Sequence, residues 1–341
     1  MRVPLSWLRE YVEVELSADE LAERLTLLGM EVKSVERWGA EWDRVVVGEL
    51  LDVRPHPRAD RLSLARAAVG DGEALEIVCG ATNIAPGQRV PVALPGATLP
   101  GGRRIERTEI GGVVSNGMLC SGDELRLTGD AEGILILPPE APIGIPLDQL
   151  YGDWILDVDV KPNRGDALSL VGLAREIAAA TGASLTWPPT DVPESGRPVG
   201  ERLAVEVVEP ELCSRFVGRW VDGVAVRPSP DRVQMRLIAA GMRPVSNVVD
   251  ASNYVMLELG KPIHTFDAAR VATDPHGRHR IVVRRARPGE RLETLDHVER
   301  ELDPETLVIA DPSGPLAIAG VIGGASSEVG PGTRAVVIES A

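Results

Sequence analysis

The sequence has few of the residues on which several classes of site depend. Three of its 341 residues are cysteines, and 3% are aromatic. Cys79, Cys120 and Cys213 are too widely spaced for a CxxC zinc site, and their odd number does not indicate a disulfide framework. They are interpreted as reduced thiols of a cytoplasmic protein, and no metal site is predicted.

Long apolar segments are also missing. No apolar run reaches the roughly 20 residues that a membrane-spanning helix needs. The opening residues, MRVPLSWLREYVEVEL, carry charges throughout and lack the apolar centre of a signal peptide. The sequence therefore predicts neither a membrane partner nor export.

Positive charge is scarce for a protein that would bind nucleic acid. The formal net charge is −15, and residues 40–150 contain 10 arginines, no lysine and 16 acids. This balance argues against binding by bulk electrostatics and leaves only local arginine clusters. The clustered arginines of this segment are Arg58, Arg61, Arg66, Arg103, Arg104 and Arg107. Because acids lie beside each cluster, a solvated charged surface is an equal alternative.

The hydrophobic periodicity indicates a mixed α and β chain. Ser17 and Glu20 form a capping-box pattern at the start of a predicted helix. From Val45, short β-type runs alternate with Pro, Gly and Asp turns, and about five strands in a hundred residues predict a small barrel. Helical spacing returns after Asp166, interpreted as an N-cap, and ends at Gly182.

Four motifs lie within the predicted barrel: HPRADRL at 56–62, IVCGATNI at 77–84, PGATLP at 95–100 and SNGMLCSGDEL at 115–125. Their turn residues alone indicate only a small β domain. In this order they resemble the tRNA-binding OB domain found in synthetase β subunits, in some methionyl-tRNA synthetases and in free-standing tRNA-binding proteins.

The flanking segments resemble one of these families, the bacterial phenylalanyl-tRNA synthetase β subunits. LSWLREYV at 5–12 and DVDVKPNRGDALSLVGLAREIAAATG at 157–182 resemble its opening domain. VVDASNYVMLELGKPIHTFD at 248–267, AIAGVIGG at 317–324 and VVIES at 336–340 resemble its editing domain. The resemblance covers essentially the whole chain, which is expected to be an N-terminal fragment that ends within the editing domain.

The resemblance implies a multidomain α+β fold. Residues 40–150 are expected to form an OB-fold β-barrel inserted in a discontinuous α+β domain made of 1–39 and 151–190. A Pro-, Gly- and Ser-rich stretch at 191–200 is predicted to be a linker. An α+β editing domain is expected over 201–341.

The family's editing site hydrolyses tyrosine wrongly attached to the tRNA of phenylalanine. A buried acceptor can recognise the tyrosine hydroxyl, because phenylalanine leaves that acceptor unpaired. Glu339 matches this position, within an apolar strand where a carboxylate is costly without a partner. Spacing alone favours the alternative, a glutamate that faces solvent from an edge strand, and the resemblance reverses that preference.

Five further residues match the family's pocket. His264 is expected to activate or position the hydrolytic water, and Asn253 to act beside it. Ser252, which stands where relatives carry threonine, and the neighbouring Ala319 and Gly320 are expected to bind substrate. A tight turn packed on a neighbouring strand is the alternative for Gly320.

The family also implies partners. Its members form α₂β₂ heterotetramers with an α subunit that uses ATP and Mg²⁺ to charge tRNA(Phe). This chain shows no nucleotide-binding signature, so no cofactor is expected within it. Two alternatives stay open: a tRNA-binding or structural module with an inactive editing domain, and a free-standing deacylase.

Overall fold

A computed structural model describes residues 1–129, 131 and 133–341. It divides the chain into two compact units. The first unit comprises Met1–Pro162, Glu176–Leu185 and Gln234–Arg243. The second unit comprises Asn163–Arg175, Thr186–Val233 and Pro244–Ala341. Within the described ranges, no helix has the length and hydropathy to cross a membrane.

The chain contains both helices and strands along its whole length. Its strands up to residue 159 are β1 (Arg2–Pro4), β2 (Glu31–Trp38), β3 (Val45–Pro55), β4 (Ser63–Ala68), β5 (Leu75–Cys79), β6 (Arg89–Ala93), β7 (Thr108–Ile110), β8 (Val113–Ser115), β9 (Met118–Leu119) and β10 (Asp153–Asp159). The later strands are β11 (Leu203–Val207), β12 (Val217–Asp222), β13 (His264–Asp267), β14 (His279–Arg285), β15 (Arg291–Glu293), β16 (Glu299–Glu301), β17 (Leu307–Asp311), β18 (Gly314–Ile318), β19 (Ile322–Gly323) and β20 (Ala335–Ser340). The helices are α1 (Leu5–Leu8), α2 (Ala18–Leu27), α3 (Leu147–Leu150), α4 (Leu170–Thr181), α5 (Asp231–Ala239) and α6 (Asn247–Leu259).

The capping box predicted at the start of α2 is confirmed. The Ser17 hydroxyl accepts a hydrogen bond from the Glu20 backbone N–H, and the Glu20 carboxylate accepts one from the Ser17 N–H at 2.8 Å. The Ser17 hydroxyl also donates to the Glu20 carboxylate, and this bond together with that from the Ser17 N–H lowers the pKa of Glu20, because both favour its charged form. The first residues also contain strands, since β1 and β2 pair with either side of β10 in one antiparallel sheet.

The start of α4 differs from the prediction. Asp166 lies in a 3₁₀ turn, and its carboxylate accepts hydrogen bonds from the Arg164 guanidinium at 3.0 and 2.9 Å. The Ser169 hydroxyl instead accepts the N–H of Gly172 at 3.0 Å, and the helix begins at Leu170. The predicted cap at Asp166 is therefore wrong, because the neighbouring arginine occupies its carboxylate and a serine closer to the helix takes the capping position.

A nearly closed, barrel-like sheet forms the middle of the first unit. Its five strands follow the order β5-β4-β3-β6-β9, and every neighbouring pair is antiparallel. Because side chains alternate between faces along a strand, every second residue points inward. The inward residues form a core of Val46, Leu50, Ala65, Ala67, Ile77, Cys79, Val90, Val92, Leu119 and Ile134. This nearly closed sheet agrees with the small barrel that the short strands predicted.

Besides the two-stranded pair β15-β16, the described residues of the second unit form two sheets. One has the order β11-β14-β17-β18-β19, and the other has the order β12-β20-β13. One core cluster joins them, with Ile281 and Ile309 from the larger sheet and Phe266 and Val337 from the smaller sheet. The smaller sheet therefore presents one face to the larger sheet, and β20 lies at its centre.

Candidate functional site

A cavity of about 610 Å³ lies in the second unit. Most of its wall is aliphatic, supplied by β14, β17, β18 and the turn after β18. The charged side chains that line it, within the described part of the chain, are Arg215 and Glu339. His264 lines it as well. An apolar cavity with a few polar groups is typical of a small-molecule site.

The strand register brings three residues side by side. Glu339 on β20 pairs with Gly218 on β12 and with His264 on β13. Directly paired residues of antiparallel strands project from the same face of a sheet. The Glu339 carboxylate and the His264 imidazole therefore share the face that borders the cavity, while Gly218 adds no side chain there.

The Glu339 carboxylate is buried and incompletely paired. The residue is 9% exposed, and its Oε2 atom has no hydrogen-bond partner among the described residues. Burial raises the pKa of this carboxyl to about 7, and the charge of Lys261 partly opposes the rise. Charged and neutral forms of Glu339 are thus both populated near neutral pH. The exposed edge-strand alternative does not apply, since β20 is a central strand.

The His264 imidazole is held by close packing. Its ring lies 4.6 Å from that of Phe266, edge to face. Gly323 approaches it so closely that a Cβ at that position would lie 2.4 Å from the imidazole Cε1. Burial lowers the pKa of His264, so the ring is neutral at pH 7 and can accept a proton. Within the described residues, neither ring nitrogen has a hydrogen-bond partner.

Ala319 and Gly320 line the same cavity, as expected. They lie in the turn that joins β18 to β19. The Ala319 N–H donates to the Leu307 carbonyl at 3.0 Å, and Gly320 has a φ of +69°. That left-handed conformation favours glycine. Gly320 thus belongs both to a tight turn and to the cavity wall.

Ser252 and Asn253 do not lie in this cavity. Ser252 lines a second cavity of about 430 Å³ together with Thr265 and Ile338. Because Thr265 and Ile338 neighbour His264 and Glu339 in their strands, they point to the opposite face of the sheet. Asn253 is half-buried on α6 and is not among the residues that line either cavity. The expected gathering of all six residues around one pocket is therefore not seen.

In the first unit, Arg103 and Arg104 line a separate cavity of about 630 Å³. Each arginine is paired with an acid. Arg103 lies 3.2 Å from the Glu124 carboxylate and Arg104 lies 3.3 Å from that of Glu106. All four side chains are about one third exposed or more, so these ion pairs are partly or largely solvated.

The remaining predicted arginines lie elsewhere in this unit. Arg58, Arg61 and Arg66 are exposed, and the structure shows no ion pair for them among the described residues. Arg58 lies against Gly112, in the turn between β7 and β8. Arg66 lies on β4, directly between Glu76 on β5 and Asp52 on β3. Its neighbourhood is therefore acidic.

Two cations near the larger cavity of the second unit were not predicted. Arg215 lines the cavity and precedes β12, whereas Lys261 precedes β13 and acts on Glu339 through its charge. Spacing gives no signal for Arg215, because its location depends on the pairing of β12 with β20. No group of three or more His, Cys, Asp or Glu side chains suited to a metal ion is found in the part of the chain that the structure describes.

Comparisons with known proteins match the barrel and the cavity of the second unit to two different families. The family described as "Putative tRNA binding domain" matches residues 45–146, which contain the barrel, and the family described as "B3/4 domain" matches 212–341, which contain the cavity. The chain is 49% identical to the phenylalanine–tRNA ligase beta subunit of Moorella thermoacetica, over 100% of this chain and 43% of that protein. It is 48% identical to that of Anaeromyxobacter dehalogenans, over 100% of this chain and 42% of that protein.

A solved N-terminal fragment of the phenylalanyl-tRNA synthetase beta subunit from Pyrococcus horikoshii is 20% identical, with a TM-score of 0.31 over 55% of each chain. At this score the similarity adds nothing to the assignment. The curated relatives match the whole chain, which spans 43% and 42% of their own lengths. The chain belongs to the family of bacterial phenylalanine–tRNA ligase β subunits.

Proposed function

We propose that this chain contains the editing site of a phenylalanine–tRNA ligase β subunit and hydrolyses tyrosine esterified to tRNA(Phe). One observation carries the proposal. Glu339 is a buried carboxyl with an unpaired oxygen, on a central strand, facing an apolar cavity of about 610 Å³. Such a group is costly to retain unless a ligand pairs with it.

The proposed ligand is the tyrosine hydroxyl. A phenol that enters the cavity donates a hydrogen bond to the Glu339 carboxylate, whereas a phenylalanine ring leaves the carboxylate desolvated and unpaired. An unsatisfied buried group costs about 1–3 kcal/mol, and more when charged, which corresponds to at least roughly 5- to 150-fold discrimination. Glu339 therefore reads the atom that distinguishes the wrong amino acid from the correct one.

His264 is proposed to handle the proton of the attacking water. Hydrolysis adds one water across the ester bond: the water oxygen joins the acyl carbon, and a proton goes to the released ribose oxygen. A neutral imidazole with no hydrogen-bond partner among the described residues is suited to take the proton of that water. Asn253 and Ser252 stay predictions as catalytic and substrate contacts, while Ala319 and Gly320 are proposed to shape the wall around the substrate.

The other unit is proposed to contact the tRNA. Residues 40–150 are proposed to be an OB domain inserted between 1–39 and 151–190, and the sheet that joins β1, β10 and β2 supports this division. Residues 191–200 are all exposed, which suits a linker to an editing domain over 201–341. The proposed tRNA contacts are Arg58, Arg61, Arg66, Arg103 and Arg104.

The ligase reaction is proposed to require a partner. In this proposal an α subunit completes an α₂β₂ enzyme and charges tRNA(Phe) with ATP and Mg²⁺. The side chains of this chain would act on the finished ester only, by binding its amino acid and directing a water to it.

Deacylation assays with the whole enzyme test the proposal. Glu339→Ala is expected to slow hydrolysis of tyrosyl-tRNA(Phe) by about 100-fold, because the hydroxyl loses its partner. Glu328→Ala removes an exposed carboxyl outside the cavity and serves as the matched control. Phenylalanyl-tRNA(Phe) is the control substrate. Unchanged hydrolysis by Glu339→Ala would favour the second candidate, a tRNA-binding or structural module with an inactive editing domain.

A further inference from the structure

Arg215 differs from most arginines of the second unit because it has no acidic partner. Arg284 lies 2.7 Å from Glu290, and Arg300 lies 2.8 Å from Asp296. Arg215 is exposed and lines the cavity that contains Glu339, and none of the described carboxylates pairs with it. Its guanidinium is therefore available to an anion that approaches this cavity.

The strand directions place a second cation on the other side of Glu339. β12 and β13 both run antiparallel to β20, so they run parallel to each other. Their first residues therefore lie at the same end of the sheet, beside the final residues of β20. At this end Arg215 precedes β12 and Lys261 precedes β13, and Glu339 lies on β20 between the two strands.

The chemistry of the proposed substrate identifies the anion, and this step rests on the proposed editing function. An amino acid loses its carboxylate charge when it is esterified, and its amino group is cationic. The esterified tyrosine therefore offers no anion to Arg215. The nearest negative charge in the substrate is the phosphodiester that joins the terminal nucleotide to the rest of the RNA.

We propose that Arg215, assisted by Lys261, binds the phosphodiester of the 3′-terminal nucleotide and so positions the ester between His264 and Glu339. A guanidinium matches two phosphate oxygens with parallel N–H donors. Lys261 is exposed, donates a hydrogen bond to the main-chain oxygen of Ala341, and adds attraction as a point charge. Glu339 thus recognises the amino acid, and Arg215 recognises that it is attached to RNA.

Binding of two inert ligands to the whole enzyme tests this assignment. One ligand is the trinucleotide CCA with tyrosine attached through an amide, and the other is adenosine with the same attachment but no phosphate. Arg215→Gln is expected to weaken binding of the trinucleotide by about tenfold, the effect of one charge-assisted hydrogen bond. For the same variant, the fold loss of affinity for the adenosine ligand is expected to be at least five times smaller than the fold loss for the trinucleotide. The slope of log affinity against log salt concentration for the trinucleotide is expected to decrease by roughly the amount that one phosphate contact contributes.

The control is Arg219→Gln, since Arg219 is an exposed arginine of β12 that pairs with Glu194 at 3.1 Å and does not line the cavity. Arg215→Lys keeps the charge and is expected to retain part of the affinity. Equal losses on both ligands would assign Arg215 to the amino acid or the ribose and overturn the proposal, as would an unchanged trinucleotide affinity. Glu339→Ala is expected to weaken the binding of both ligands. If it weakens the binding of neither, the proposed editing function is contradicted, while the result for Arg215→Gln still decides the phosphate contact.

Discussion

Two cavities of nearly equal volume, about 630 Å³ in the first unit and about 610 Å³ in the second, differ in how their charges are satisfied. In the first cavity, Arg103 and Arg104 each lie against a glutamate. In the second, Glu339 keeps an oxygen without a partner, and Arg215 has no ion pair among the described residues. Size alone does not separate these cavities, whereas unmet hydrogen-bonding capacity does.

The difference has a simple energetic reason. An exposed ion pair contributes about 0–1 kcal/mol, and a ligand gains little by competing with it. A buried carboxyl without a partner retains its desolvation cost, which a hydrogen-bonding ligand can remove. The same contrast exists within the second unit, where hydrogen bonds from Arg300 and Thr294 hold the pKa of Asp296 well below its usual range while burial raises that of Glu339.

The largest expected effect tests whether the cavity that contains Glu339 depends on the position of His264 for its activity. Gly323→Ala places a methyl group 2.4 Å from the present position of the imidazole Cε1, so the ring must move. A displacement of about 1 Å in a catalytic group costs about 100-fold in rate. Tyrosyl-tRNA(Phe) hydrolysis measures this loss, and Gly330→Ala is the control because its Cβ has open space. An active Gly323→Ala enzyme would show that the position of His264 does not limit the reaction.

The next effect tests the ionisation of Glu339. In the proposed function the charged Glu339 carboxylate accepts the tyrosine hydroxyl more strongly than the neutral carboxyl does, and the pKa of this group is about 7. As the pH falls through this value, the hydrolysis of tyrosyl-tRNA(Phe) is expected to fall severalfold, and above it to level off. His264 titrates at lower pH, because burial lowers its pKa below the ordinary 6.5.

Glu339→Gln checks the origin of this profile. Its amide can still pair with a hydroxyl but does not titrate, so the decline near pH 7 is expected to disappear, leaving only the limb from His264. The rate without enzyme is subtracted at each pH. A profile that keeps its midpoint near 7 in Glu339→Gln would assign the titration to another group.

The smallest expected effect is a difference in the free energy of unfolding between variants of the two cavities. The pKa of Glu339 is raised from 4.5 to about 7 on folding, so its contribution to stability is fully present below pH 4.5 and is lost as the pH rises through 7. Glu339→Gln is therefore expected to be about 1–3 kcal/mol more stable than wild type at pH 8 and unchanged near pH 4.

Glu106→Gln in the first cavity is the matched variant, since it breaks the exposed pair with Arg104. Its free energy of unfolding is expected to change by less than about 1 kcal/mol at either pH. Thermal unfolding at both pH values measures the two variants. Equal responses would remove the energetic distinction between the cavities.

Local sequence patterns predicted part of the fold. The capping box of Ser17 and Glu20 needs only contacts within one turn, and it forms as expected. Asp166 failed as a cap because Arg164, two residues away, occupies its carboxylate, and a one-dimensional pattern does not rank such competing partners. The strands of the barrel were recognisable from their alternation, but their order depends on pairings between distant segments.

The candidate site shows the same limit at longer range. His264 and Glu339 were identified by motif, and their shared face follows from a register that no single segment encodes. The same register sends Thr265 to the opposite face, where Ser252 lies. Ser252 and His264, which belong to one motif, therefore line different cavities. Arg215 was missed for the corresponding reason, since only the pairing of β12 with β20 brings it to the cavity.

The central place of β20 has one more consequence. Hydrogen bonds to β12 and β13 on both sides prevent the strand from swinging Glu339 out to water. The desolvation cost of this carboxyl therefore arises during folding, and an amino acid that binds in the proposed function finds a preorganised acceptor. Under the proposed function, selection between tyrosine and phenylalanine needs no induced fit, and its selectivity depends on a single oxygen atom.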